Sequence, residues 1–371
     1  MRRAPVAAAV LALALASSGA ASAASDCPPG LPALARGISV PGVDGSGSWR
    51  SAPAGAIDDL VRRGLGHVRL PLKAEAFMTA FASPAEIAAA LADTRAALDH
   101  YLGLGLAVVL DLHGGGALAG RFSDDRVAAF DSVGEAWLAL APVVNAAARG
   151  RVFAEVLNEP PVADDFWLKM TARLVPVLRK AMPDVPFVLS TGGPQRWDAL
   201  LGAAPASTDP GVIYAVHYYD PMVFTHQGAA AFMAGPIGRL SGIPFPLTGR
   251  DPAVTGLEQR LRAAGDGEAA DYLAAGRDFA FGADTIRADL DRVGAWSRRT
   301  GVPVVIGEFG VLADAAPPAD RAAWIGTVAR AAEAACLGWT HWELTAGFGL
   351  VDPATGSLDP TLVEALLPAA R

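Results

Sequence analysis

The sequence predicts an α/β protein built as a single closed (β/α)8 TIM barrel, and three observations predict it. Eight short, β-rich apolar runs alternate along the chain with amphipathic or Ala-rich stretches, the pattern of parallel strands joined by helices. The third, fourth and seventh runs are apolar almost throughout, so both of their faces are buried. Polar residues gather where these runs end, and a parallel barrel brings all such ends to one face. An open doubly wound sheet would show the same local alternation; the count of eight decides for the barrel.

Taken in order, the expected strands are 37–40, 67–72, 106–113, 152–158, 186–191, 212–218, 302–308 and 338–344. Helices are expected at 53–63, 84–102, 125–148, 164–181, 284–299 and 317–335, with a last one at 360–367, several opening on Asp or Pro, which suit a helix start. One connection breaks the rhythm. About 60 residues follow the sixth strand, with a Gly/Pro-rich part at 235–252 and an Ala-rich part near 257–275. So long a connection in a compact domain suits a lid or cleft wall, and residues 222–280 are read as such an insertion.

Residues 1–25 read as a secretion signal: Arg2 and Arg3 start it, an apolar stretch fills 6–16, and Ala21-Ser22-Ala23 gives the small-residue cleavage pattern. The expected division is a signal peptide 1–23, removed, and a barrel 24–371, exported to the periplasm or beyond. A retained anchor fits poorly, because the apolar part is short and rich in Ala. No second apolar run is judged to approach spanning length, so no membrane partner is expected after cleavage. The net charge of −8, from 38 acidic and 30 basic residues, argues against nucleic acid and suits a neutral substrate.

The strand ends carry the chemistry. Arg69 lies within the second run, Asp111 and His113 end the third, Asn158 and Glu159 the fourth, His217 and Tyr219 the sixth, Glu308 the seventh, and Trp342 and Glu343 the eighth. His113-Gly114-Gly115-Gly116 matches the HGGG of lipases and esterases, but no serine has glycine at both −2 and +2, so the nucleophile elbow is missing. The six histidines include no H-x-H and no H-E-x-x-H, and neither a metal nor a cofactor is expected.

Val156-Leu157-Asn158-Glu159-Pro160 and Val305-Ile306-Gly307-Glu308-Phe309-Gly310, together with His217-Tyr218-Tyr219, "HVRLP", "DLH" and Trp342, resemble in order the motifs of glycoside hydrolase family 5, the cellulase family. The resemblance covers nearly the whole mature chain. The long segment after Tyr219 and the triple glycine depart from the common pattern. The resemblance implies a retaining glycosidase with Glu159 as acid/base and Glu308 as nucleophile. It also implies that Arg69 and Tyr219 hold Glu308, that Asn158 meets the 2-hydroxyl of the reacting sugar, that His113 and His217 line the same subsite, and that Trp342 stacks on the sugar.

From the residues themselves, cleavage needs a proton for the leaving oxygen and a second carboxyl across the ring. The charge of Glu308 is expected to raise the Glu159 pKa. Glu155 is read as a buried partner of a basic group and Glu343 as packed against the shell. Trp49 and Trp197 are candidate sugar platforms or surface packing, and Phe224 and Phe348 stand with them; Trp137, Trp296 and Trp324 are core.

In a closed barrel the first and eighth strands are neighbours, so Cys27, before the first, and Cys336, before the eighth, are expected to form a disulfide. The expected substrate is a β-glucan, cut by an endo-acting, cellulase-like monomer. An exo-acting β-1,3-glucanase, a β-mannanase and a non-catalytic carbohydrate-binding barrel stay open.

Overall fold

Every one of the eight expected runs is a barrel strand. In a computed structural model they are β1 (Arg36–Ser39), β2 (His67–Lys73), β3 (Ala107–His113), β4 (Val152–Asn158), β5 (Phe187–Leu189), β6 (Val212–His217), β7 (Val304–Phe309) and β8 (Gly338–His341). They close in the order β1-β8-β7-β6-β5-β4-β3-β2, all parallel. The structure describes residues 32–53, 55–147 and 150–369. The expected signal segment and Cys27 lie outside them.

Alternation along the strands gives the barrel an inside and an outside. Val108 and Leu110 belong to the large core shared with the helices, whereas Ala107, Val109, Phe153, Ala215 and Val305 form a separate apolar cluster with Leu34. This second cluster fills the interior. The next inward positions upward along the same strands are Asp111, Glu155, His217 and Gly307, so the interior changes from apolar to polar toward the strand C-termini. At the opposite end His67 bonds Thr340 Oγ1 at 2.8 Å, and a Cβ on Gly37 would come within 2.1 Å of its ring, so β1 must carry glycine there.

Helices cover the outside. α1 (Ala56–Arg62), α2 (Pro84–Gly103), α4 (Arg126–Ala147), α5 (Asp164–Ala181), α10 (Ala283–Thr300), α11 (Pro318–Ala334) and α12 (Pro360–Leu366) follow the expected segments closely. Ser83 and Glu86 form a capping box around Pro84, and Asp359 caps the helix opened by Pro360. The shell tryptophans Trp137, Trp296 and Trp324 are buried as expected.

α3 (Gly116–Asp124) lies outside the expected helices, because its glycine-rich start has poor helix propensity. Asp125 separates it from α4 and accepts the Val127 and Ala128 N–H groups at 3.0 Å. The expectation that no further apolar run approaches spanning length needs correcting: α4 is long and apolar enough to cross a membrane. Here it lies in the shell, with residues such as Phe130, Trp137, Leu140 and Val144 buried.

The connection after β6 is built of regular structure. After the short α6 (Trp197–Gly202) between β5 and β6, it contains α7 (Met222–Thr225), then α8 (Pro252–Ala263) and α9 (Gly267–Ala275), and a two-stranded antiparallel ladder joining Leu247–Thr248 to Ala280–Phe281. These elements are short and rich in Ala and Gly, so their periodicity is faint in the sequence.

Candidate active site

Two irregularities aim the residues at the strand ends. Between β3 and β4 the register runs Asp111↔Glu155 and then His113↔Asn158, so β4 holds an extra residue. Between β6 and β7 it runs Val216↔Ile306 and then His217↔Glu308, so β7 does too. A bulge breaks strict alternation, which lets Glu155 and Asn158, three apart, both turn toward Arg69. The indole of Trp137 secures the bulged stretch by donating to the Val156 carbonyl at 2.9 Å.

Arg69 stands at the centre, 1% exposed. Its Nε donates to Glu155 Oε2 at 2.7 Å and its Nη2 to Glu155 Oε1 at 3.0 Å. Nη2 also reaches Asn158 Oδ1 at 2.8 Å and Asp111 at 2.9 Å, and Nη1 donates to Glu308 Oε1 at 2.7 Å. Burial opposes its charge, but Asp111, Glu155 and Glu308 hold its pKa well above the ordinary arginine value. Arg69 touches Glu308 as the resemblance implies; with so little surface it supports the carboxylates from beneath and is not placed to bind substrate itself. Glu155 is the buried partner of a basic group that the sequence suggested.

Glu308 has its second oxygen bonded by the Tyr219 hydroxyl at 3.0 Å. Burial, then the charges of Glu308 and Glu159, push the Tyr219 pKa far up, so the phenol keeps its proton and donates. Glu159 is more open, its side chain 39% exposed against 6% for Glu308. Its backbone sits at φ 40°, a left-handed geometry uncommon for glutamate. The buried Gln195 side chain fixes it there by accepting the Glu159 N–H at 2.7 Å.

His217 joins the two carboxylates, with Nδ1 2.9 Å from Glu159 Oε1 and 3.5 Å from Glu308 Oε2. Burial lowers its pKa, but Glu308, and then the hydrogen bond and charge of Glu159, raise it above the usual histidine value. For Glu159 the expected direction is reversed. Burial pushes the carboxyl up, yet the hydrogen bond and charge of His217, with His113 and Arg69 behind, hold it below the ordinary value. The imidazole that stands between the two carboxylates, supplied by a strand distant in sequence, reverses the sign.

His113 Nδ1 bonds Asp111 at 3.0 Å, and its Nε2 lies 3.2 Å from Asn158 Nδ2. Because Arg69 can only donate, the Asn158 amide is fixed with its oxygen toward Arg69 and its nitrogen toward His113. Among the described residues the other Asn158 N–H has no partner. Trp342, half-buried, stacks on His113 with centroids 5.7 Å apart and planes at 17°. A cavity of about 600 Å³ opens beside this pair, lined also by Lys73, Glu75, Phe81 and Gly114 to Gly116. The triple glycine serves close approach here. A Cβ on Gly115 would lie 2.9 Å from Glu75 Oε1, the atom that accepts the Gly115 and Leu118 N–H groups.

Three platform candidates are not placed as platforms. Trp49 is buried with its indole N–H on Asp93, Trp197 is buried with its indole N–H on Asp220, and Phe224 is wholly buried against Phe245. Glu343 also differs from expectation. It is buried, and burial, then the charge of Glu308, pushes its carboxyl up to about 7, with the Phe348 backbone N–H and then His113 acting against them, so its environment includes the charges of the site. Gln195, Glu75 and His226 lie beyond strand ends, in turns and short helical pieces that carry no spacing signal in the sequence.

Among the described residues, Glu159, His217 and Glu308 offer one ligand atom each within 4.8 Å of one another, close enough to hold a cation. The same atoms are two carboxylate oxygens with an imidazole nitrogen between them. Chemically the arrangement supplies a solvent-facing carboxyl paired with a proton carrier, beside a buried carboxylate held by two donors.

The sequence profile of the family described as "Cellulase (glycosyl hydrolase family 5)" matches residues 33–346. Endoglucanase 3 of Fibrobacter succinogenes is 27% identical over 246 residues, 62% of this chain and 35% of that protein. Endoglucanase H of Acetivibrio thermocellus is 23% identical over 310 residues, 82% of this chain and 28% of that protein. The chain thus spans about a third of the length of these curated relatives. Cel5A of Thermotoga maritima has been solved with cellobiose and with mannotriose. Each structure is 23% identical with a TM-score of 0.68, covering 90% of this chain and 97% or 98% of the other.

Proposed function

The chain belongs to glycosyl hydrolase family 5, the cellulase family, and we propose that it is a retaining glycosidase that cuts internal β-glucosidic bonds of a glucan. One observation carries this reading: an oxygen of Glu159 and an oxygen of Glu308 lie within 4.8 Å. Carboxyls about 5–5.5 Å apart let one attack directly, whereas inverting enzymes keep about 6.5–9.5 Å for a water.

Glu308 Oε attacks the anomeric carbon as the glycosidic C–O bond breaks, and the proton of Glu159 passes to the leaving oxygen. Water then attacks the same carbon, Glu159 takes its proton, and the bond to Glu308 breaks. Glu159 and His217 hold one proton between them. When the substrate displaces solvent, transfer from the imidazolium to Glu159 leaves a neutral acid at the scissile oxygen. The second Asn158 N–H is assigned to the 2-hydroxyl, and Trp342 to the sugar face, its other face being covered by His113. Residues 222–280 wall the cleft.

The test is product analysis on a panel of β-1,4-glucan, β-1,3-glucan and β-mannan, mannan being included because Cel5A of Thermotoga maritima has been solved with mannotriose as well as cellobiose. Internal cleavage of the β-1,4-glucan, with the β-anomer formed first by NMR, is expected. First-formed α-anomer would overturn retention, and activity confined to mannan or to β-1,3 chain ends would replace the substrate. We further propose export through the signal segment 1–23 and a disulfide between Cys27 and Cys336, the only cysteines in the sequence. Titration of the unreduced, denatured mature protein should find no free thiol, and two would remove the disulfide.

A further inference from the structure

A line of rings leads out of the site along the segment after β6. Tyr219, the residue bonded to Glu308, has its ring 4.9 Å from His226, edge to face. His226 lies 5.4 Å from Phe348 and 6.4 Å from Phe232, and Phe348 lies 6.5 Å from Phe232. Only two ring-to-ring steps therefore separate Phe232 from the residue that touches the nucleophile. His226 is buried and bonded to Thr225 at 2.9 Å; its pKa is lowered to about 4, chiefly by burial, so it acts as a neutral aromatic link.

Phe232 ends this line, and it does so in solvent. At 62% it is the most exposed large hydrophobic side chain among the described residues. Its backbone is nonetheless held: its N–H donates to Ala229 O at 3.0 Å, and Met233 N donates to the same oxygen at 2.8 Å. Just downstream Arg239 is clamped by Asp266 and Glu268, which ties the turn to α9. A large apolar ring kept in water by a fixed turn, two ring contacts from Tyr219, presents a face that none of the described residues covers. A pyranose, with its axial C–H face, is the occupant that both the ring and the neighbouring chemistry suit.

We propose that Phe232 is a stacking platform for a sugar of the same chain that lies beyond the scissile bond, so that catalytic efficiency depends on substrate length. This rests on the glycosidase reading and adds to it a determinant carried by the segment that departs from the family pattern.

The test compares wild type, Phe232→Ala and Phe232→Trp on a hexasaccharide and on the shortest susceptible aryl glycoside of the same glycan. Loss of one aromatic stack is expected to lower the ratio of kcat/KM values, long over short, about five- to tenfold in Phe232→Ala, mostly through KM. Phe232→Trp should keep the ratio. A ratio unchanged by alanine, or lowered equally by tryptophan, overturns the platform while leaving the glycosidase reading intact. If wild type hydrolyses no glycan of the panel, that reading fails. Affinity electrophoresis in soluble glucan and mannan then judges the platform: weaker retardation of Phe232→Ala supports it, and equal or no retardation in both overturns it.

Discussion

Glu308→Gln is expected to lower kcat by at least about a thousandfold on every susceptible glycan, the scale on which deleting a nucleophile acts. The substitution keeps the shape of the side chain and both of its contacts in outline, so loss of activity would report chemistry and not collapse. An amide cannot form the ester with the anomeric carbon, and its oxygen carries no charge for the developing oxocarbenium ion. The variant also makes a prediction about a neighbour. Burial lowers the His217 pKa, and the charge of Glu308 is the largest influence raising it. Removing that charge should shift the His217 titration to lower pH, read by NMR of the imidazole. Substrate binding by the variant should survive, and full activity in Glu308→Gln would sink the assignment.

How much of this was legible in the sequence depended on the range of the interaction. Strand runs were readable because both faces of β3, β4 and β7 are buried, so composition alone marks them. Glu159, Glu308, Asn158 and His217 were readable because they sit in ordered motifs at strand ends. The bulges in β4 and β7 were not, since an inserted residue is defined only against its partner strand. For the same reason the sequence misjudged Glu159: the imidazole that lowers its pKa comes from β6, 58 positions away. Trp49 and Trp197 show the converse error. A tryptophan in a loop on the active face reads as a platform, but Asp93 and Asp220 take their indole N–H groups and draw both rings inward. The most exposed aromatic among the described residues is Phe232, in an Ala- and Gly-rich stretch that gives no such cue.

Arg69→Met should be the most destabilising single change in the site, costing roughly 3–5 kcal/mol of folding free energy, as expected when one partner of a buried ion pair is removed. Methionine fills much of the arginine volume, so the effect is electrostatic and not a cavity. It strands Asp111, Glu155 and Glu308, all buried and all bonded to the guanidinium, together with the Asn158 carbonyl. Three carboxylates so close, without their cation, can lower their mutual repulsion only by taking up protons. Burial already raises the Glu155 pKa, and Arg69 is the largest influence acting against it. In the variant that restraint is gone, so the Glu155 pKa rises further and the folded state binds more protons than the unfolded chain. Stability should therefore fall as pH rises through the raised folded-state value and recover as pH is lowered toward the unfolded carboxylate range. Urea unfolding at several pH values measures this. A loss under about 0.5 kcal/mol, within the range of ordinary surface changes, or a loss with no pH dependence, would mean that the carboxylates are stabilised by something other than Arg69. Activity should fall as well, because Glu308 would lose the Nη1 contact that orients one of its two oxygens.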